Sequence, residues 1–192
     1  MGVMSGLEKL VVNRFNERES RSLFELIRGA LRLPENGSIL ELGAGKGGLS
    51  LLLYHHYKPN RCVVTDYDPL QLEEAKSYYS KKLGSIPRDL EFRVADALNL
   101  PFEDGSFDAV FASHVLHHVE KHEWHFRNIP KALDEIGRVL KDEGSFVFEE
   151  MFKKKDINGH LESMGFRQTF AKTIFPGSRF FIYQKKTEMS AL

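Results

Sequence analysis

Four glycines fall within six residues at Gly43-Ala44-Gly45-Lys46-Gly47-Gly48, directly after the apolar run Ser38-Ile39-Leu40-Glu41-Leu42. Absent side chains let backbone approach a ligand closely. The helix expected to follow offers unpaired N–H groups and positive potential at its start. Gly43, Gly45 and Gly48 satisfy G-x-G-x-x-G, a spacing that alone also describes a tight turn between a packed strand and helix. Two acids sharpen the reading. Glu41 is a carboxylate inside an apolar run, and burying it is costly without a partner, so it points to a ligand or a hydrogen bond. Asp66 closes the run Cys62-Val63-Val64-Thr65, about 20 residues after the glycines, where an acid can accept bonds from ribose hydroxyls. A helix N-cap is the competing role, and Asp68 stands closer to the next helix start.

A second concentration of chemistry is His114, His117, His118, His122 and His125. Spacings of three and four place several imidazoles on one helical face, and neutral imidazole serves as proton acceptor or metal ligand. With no H-E-x-x-H pattern and no neighbouring cysteine, no metal site is expected. His114 and His117, just past an apolar strand, are the catalytic candidates, since an unperturbed histidine titrates near about 6.5. His118 is expected to pack under the loop. His55 and His56 read as surface or core-edge residues. Trp124 suits either a pocket wall or a cap on the core, and Lys153-Lys154-Lys155 reads as a solvated loop.

Regular elements must position these groups. Apolar residues recur at spacings of three and four over 7–33, predicting a helix that the charged stretch 16–22 would break in two. Pro34-Glu35-Asn36-Gly37 is a turn. Strands are predicted at 38–42, 62–65, 90–94, 107–112 and 145–148, with helices at 49–57, 69–83 and 130–140. This alternation predicts a parallel sheet with helices on both faces. A short helix over 157–164 leads to strand-like runs at 166–175 and 179–185. Pro176-Gly177-Ser178 joins them as an antiparallel hairpin. The expected fold class is α/β, a Rossmann-like seven-stranded, mostly parallel sheet closed by that hairpin.

The 192 residues carry 27 basic and 27 acidic side chains, for zero formal net charge. A surface without net positive charge lacks the long-range attraction that non-specific nucleic-acid binding depends on. The single cysteine, Cys62, excludes an internal disulfide and any cysteine-based zinc site, and fits a reducing, cytoplasmic setting. No apolar run approaches the ~20 residues of a membrane span.

The loop Glu41-Leu42-Gly43-Ala44-Gly45-Lys46-Gly47 resembles the first motif of class I S-adenosylmethionine-dependent methyltransferases. Val64-Thr65-Asp66-Tyr67-Asp68-Pro69, Ala95-Asp96-Ala97 with Leu100-Pro101-Phe102, Phe107-Asp108-Ala109-Val110 and Arg138-Val139-Leu140-Lys141 follow in the family's order. The resemblance covers residues 36–186. It implies a core domain over 36–188, with 1–35 as a helical segment covering the site. It also implies roles. Backbone at Gly43, Ala44, Gly45 and Gly47, with Glu41 beside it, would hold the amino-acid end of S-adenosyl-L-methionine. Asp66 would bind its ribose, with Tyr67 beside the adenine. Asp96 would accept from the adenine amino group, the Ala97 amide would read the ring, and Ser113 would lie near the methionine moiety. Asp142-Glu143-Gly144 departs from the family's usual Pro-Gly-Gly in a turn away from the cofactor.

Helix 7–33 and the segments 114–128 and 149–160 are the only stretches left to cover a pocket. So small a cover favours a small-molecule acceptor, with a protein side chain next and nucleic acid last. Two other readings share the glycine loop and Asp66. An NAD(P)-binding oxidoreductase leaves Glu41, Asp96 and the terminal hairpin without a reason. A non-catalytic protein that only binds the cofactor would show no methyl transfer.

Overall fold

The computed structural model describes residues 6–120, 127–150, 155–175 and 178–187. In chain order the elements are α1 (Gly6–Ala30), β1 (Ser38–Leu42), α2 (Gly48–Tyr57), β2 (Arg61–Asp66), α3 (Pro69–Leu83), β3 (Leu90–Val94) and β4 (Phe107–Ser113). A 3-10 turn over Leu116–His118 follows. Then come α4 (Asn128–Val139), β5 (Leu140–Glu150), α5 (Lys155–Ser163), β6 (Phe166–Phe175) and β7 (Ser178–Lys185). The strand order is β3-β2-β1-β4-β5-β7-β6. β1 to β5 run parallel, and β7 is antiparallel to both β5 and β6. The expected seven-stranded sheet and its closing hairpin are both present.

Alternation along each strand divides the core between two faces. Leu40 and Leu42 of β1, Val110 of β4, and Phe146 and Phe148 of β5 pack with Leu133 and Ile136 of α4. Ile39, Val64, Phe111 and Val147 face the other way, against Leu23 and Ile27 of α1, Leu53 of α2 and Tyr79 of α3. All five residues of β1 are buried, as expected for a central parallel strand. Among the described residues, no helix is long and apolar enough to cross a membrane.

Several boundaries differ from the sequence expectation, and those of α1, α4 and β5 have a local reason. α1 is unbroken through 16–22. That stretch contains neither glycine nor proline, and its charged residues are compatible with helix. The helix ends at Ala30, before Pro34, whose ring disfavours helical backbone at Leu33. α4 begins at Asn128, two residues earlier than expected. Its first N–H groups are capped from a distance by Glu120 Oε1, which accepts from Arg127, Asn128 and Ile129 at 2.7, 2.6 and 3.0 Å. β5 begins directly after α4, and Asp142-Glu143-Gly144 is a bulge within it. Its pairing with β4 jumps from Phe107↔Leu140 to Ala109↔Ser145, with Glu143 at φ 60°. β5 also continues past Phe148 to Glu150. That extension carries two carboxylates to the edge where the site forms.

Candidate functional site

In a parallel sheet the loops after the strands gather at one edge, and ligands bind there beside the switch in strand order. β1 is that switch: β2 leaves it in one direction and β4 in the other. The glycine loop after β1 is tied down by backbone. Ala44 N–H donates to Thr65 O at 2.8 Å, and Thr65 Oγ1 donates to Glu41 O at 2.7 Å. The loop's glycines do different work. Gly47 caps α2 at φ 74°, and a Cβ there would meet Tyr79 Cε2 at 2.6 Å. Gly45, at φ 52°, has nothing within 4 Å of where its Cβ would be, so its backbone faces open space.

Two cavities meet over this loop. One, of about 490 Å³, is lined by Glu19 and Ser20 of α1, Glu41, the backbone from Gly43 to Lys46, Ser113 and His114. The other, of about 660 Å³, is lined by Asp66, Tyr67, Asp96, Ala97, Val115 and Asn128, among others. Gly43, Gly45 and His114 line both. The structure therefore brings together Glu41, Gly43, Ala44, Gly45, Asp66, Tyr67, Asp96, Ala97, Ser113 and His114. Gly47 lines neither cavity, and a Cβ there would meet Tyr79 and Ala75 of α3.

Electrostatics differ between the ends. Glu41 is 5% exposed, and its Oε2 has no hydrogen-bond partner among the described residues. Burial pushes its carboxyl up to about 8, the nearby Asp66 charge adds to this, and the Ser50 backbone N–H opposes it. Asp66 is half engaged in holding the loop. Its Oδ2 accepts from Gly45 N–H at 2.8 Å and its Oδ1 from Asp68 N–H at 2.9 Å. Asp68 in turn caps α3 through Leu70 N–H, the role expected for it. Asp96 accepts from Leu98 N–H at 2.9 Å, and Tyr67 is 73% exposed beside the second cavity.

His114 sits where the cavities join, in left-handed backbone at φ 55°. Its N–H donates to Glu149 O at 3.0 Å, and its Nε2 lies 3.4 Å from Glu19 Oε1 and 3.7 Å from Glu149 Oε1. The Glu19 carboxylate holds this imidazole above its ordinary value, against the effect of burial. His117 Nδ1 lies 3.0 Å from Glu150 Oε2. His118 does not pack under the loop as expected. It is exposed, its ring tilted against His117 with centroids 3.9 Å apart, and Leu116 fills the space beneath. Of the turn's side chains the apolar Leu116 is the fully buried one, as the relative cost of leaving each in water favours. His122, His125, Trp124, Lys153 and Lys154 lie outside the described residues.

Three carboxylates of this edge escape sequence reasoning. Glu149 and Glu150 follow an apolar strand, the same signature that singled out Glu41, yet as a pair they read as the start of a loop. Glu19 has no local signal, because only the packing of α1 over the sheet brings it to His114.

The sequence profile of the family described as "Methyltransferase domain" matches residues 40–148. An uncharacterized methyltransferase, YcgJ, of Bacillus subtilis (strain 168) is 29% identical over 118 residues, covering 62% of this chain and 42% of that protein. A ubiquinone/menaquinone biosynthesis C-methyltransferase, UbiE, of Desulfotalea psychrophila is 30% identical over 114 residues, covering 59% of this chain and 41% of the relative. The chain thus spans about two fifths of the length of either relative. A solved SAM dependent methyltransferase from Aquifex aeolicus superimposes with a TM-score of 0.66 over 88% of this chain and 97% of its own, at 16% identity. At that identity the likeness is one of fold.

Proposed function

This chain belongs to the methyltransferase-domain family of class I S-adenosylmethionine-dependent methyltransferases, and from that premise we propose that it transfers a methyl group from S-adenosylmethionine to a small-molecule acceptor. The observation that carries the reading is the orphaned Glu41 Oε2 at one end of the joined cavities, with Asp66 and Asp96 at the other. A buried carboxylate oxygen without a donor suits the ammonium of the cofactor's amino-acid end. The open face of Gly45 suits close approach by the ligand, and Asp66 and Asp96 suit ribose hydroxyls and the adenine amino group. The residues present therefore fit the cofactor. When bound, it supplies a methyl group on a sulfonium that an aligned lone pair can take.

The protein's part is alignment and exclusion of water. Gly43, Ala44 and Gly45 offer backbone, and Ser113 and His114 border the junction of the cavities. Glu19 and Ser20 of α1 line the near side of the first cavity, which supports reading 1–35 as a cover over a core from 36 to 188. The zero net charge and the short cover left over by the core support a small-molecule acceptor over a nucleic acid. A dinucleotide-dependent oxidoreductase would leave the Asp96 turn and the β7 hairpin without a role. We place the activity in the cytoplasm, a setting that the lone Cys62, buried in β2, suits.

Titration calorimetry with S-adenosylhomocysteine and with NADH tests the reading. One S-adenosylhomocysteine per chain and no NADH is the expected result, and tight binding of NADH alone overturns it. Methyl transfer from labelled cofactor into a small-molecule cell extract then separates an enzyme from a protein that only binds. Asp66→Ala is expected to weaken S-adenosylhomocysteine by about 1–3 kcal/mol, the worth of a charged hydrogen bond. An unchanged dissociation constant removes Asp66 from the site.

A further inference from the structure

Where the cavities join, the imidazoles of His114 and His117 and the carboxylates of Glu19, Glu149 and Glu150 form a mixed donor set. His114, His117 and Glu150 each offer a ligand atom, and these atoms lie within 4.8 Å of one another. Glu19, His114 and Glu149 form a second such set, sharing His114. Small side-chain rotations would close a spread of that size onto one ion with bonds of about 2.0–2.2 Å. Glu149 and Glu150 are 4% and 0% exposed, so their charges are held away from water. Among the described residues, the ion-pair partners of Glu19, Glu149 and Glu150 are His114 and His117, with neither lysine nor arginine taking part. Three carboxylates against two imidazoles leave negative charge that a cation would neutralise.

We propose that His114, His117 and Glu150 bind one divalent first-row transition-metal ion. Two imidazoles and a carboxylate suit zinc, iron, cobalt or nickel better than calcium or magnesium, which prefer oxygen donors alone. The inner ligand is anchored: Glu150 Oε1 accepts from Leu116 N–H at 2.8 Å, which fixes the carboxylate and leaves Oε2 beside His117. The two histidine side chains are 28% and 31% exposed, so the ion would keep open positions toward solvent and the cavities. Three protein ligands with open positions are the arrangement of a site that takes a further oxygen ligand, water or an acceptor hydroxyl. Glu19 and Glu149, flanking His114 Nε2, add negative charge beside the ion. No linear motif announces this set, because Glu150 comes from the end of β5, 33 residues after His117. In this arrangement the two histidines act as ligands, and the site stands on these side chains whether or not methyl transfer is the reaction.

The test uses the full chain, tag-free and stripped with a chelator, titrated with Zn²⁺ by calorimetry and with Co²⁺ by visible absorption. One ion per chain is expected, with a cobalt spectrum bearing nitrogen and oxygen ligands. His117→Ala and Glu150→Gln should each weaken Zn²⁺ at least about tenfold. The double variant His122→Ala/His125→Ala should bind as the parent does. Should Glu150→Gln not fold, His117→Ala, at a partly exposed side chain, decides alone. Absence of saturable binding, unchanged affinity in His117→Ala, or loss confined to the His122/His125 variant overturns the proposal.

Discussion

Glu41→Gln is expected to stabilise the ligand-free protein at pH 8 and above while weakening its hold on S-adenosylhomocysteine. The carboxyl sits at about 8 in the folded chain against an ordinary 4.5. A folded-state value raised above the unfolded one is a contribution present at low pH and lost as pH rises. Below about 4.5 both states hold the proton and burial costs little. Between there and about 8 the unfolded chain releases it and the folded chain keeps it. Stability then falls by about 1.4 kcal/mol per pH unit. Across that window the loss is on the order of 3–5 kcal/mol, and above it the loss is constant. Glutamine keeps the shape and removes the titration. Urea unfolding at pH 5, 7 and 9 should therefore show the variant gaining on the parent as pH rises. Parallel curves for the two proteins would remove Glu41 as a destabilising buried acid.

The same residue makes the opposite contribution when ligand arrives. A cationic ammonium beside Oε2 favours the charged carboxylate, so binding near pH 7 should expel a proton. Calorimetry in two buffers of different ionisation enthalpy reads that proton directly, and Glu41→Gln should abolish it. Loss of the charged partner should also cost about 1.5–3 kcal/mol of affinity. A residue that destabilises the empty fold and tightens the filled one is what a binding site built at the expense of stability looks like.

Glu41 was legible because one charge interrupts an apolar strand. The frame was legible for a related reason: the central strands β1, β2 and β4 read as mostly apolar runs, and β1 is bracketed by Gly37 and Gly43. Glu149 and Glu150 carry the same meaning as Glu41, but two adjacent acids at the end of a run look like solvent. Only pairing with β4 and β7 shows that the strand continues beneath them. Glu120 and Glu19 were illegible in principle. The first caps a helix that starts eight residues further on, across residues 121–126, and the second reaches His114 from α1. Each belongs to a relation between elements, which no window of local sequence contains. Asp66 shows a third case. Its strand-end position gave a ligand role, and the fold adds a second task, holding Gly45 N–H.

The glycine loop separates into structural and ligand-facing positions, and alanine substitution should tell them apart. Gly47→Ala is expected to destabilise the fold by about 2–5 kcal/mol. Left-handed backbone costs a non-glycine residue roughly 1–2 kcal/mol, and overpacking a filled core adds about 1–3. The collision is with a ring that cannot retreat. Tyr79 is fully buried, its ring edge-on to Phe92 at 5.1 Å, and Ala75 Cβ stands 3.3 Å from the added carbon on the other side. Gly45→Ala meets no atom within 4 Å, so its stability loss should be confined to the backbone part. Its methyl group would instead project into the space over the loop, and it should weaken S-adenosylhomocysteine by more than it weakens the fold. Urea midpoints and calorimetric affinities on the same two proteins measure both. Gly47→Ala should lose mainly midpoint, and Gly45→Ala should lose mainly affinity. Equal losses in both quantities for both variants would mean that the loop responds as one unit, and that the division between Tyr79 contact and open cavity has no energetic consequence.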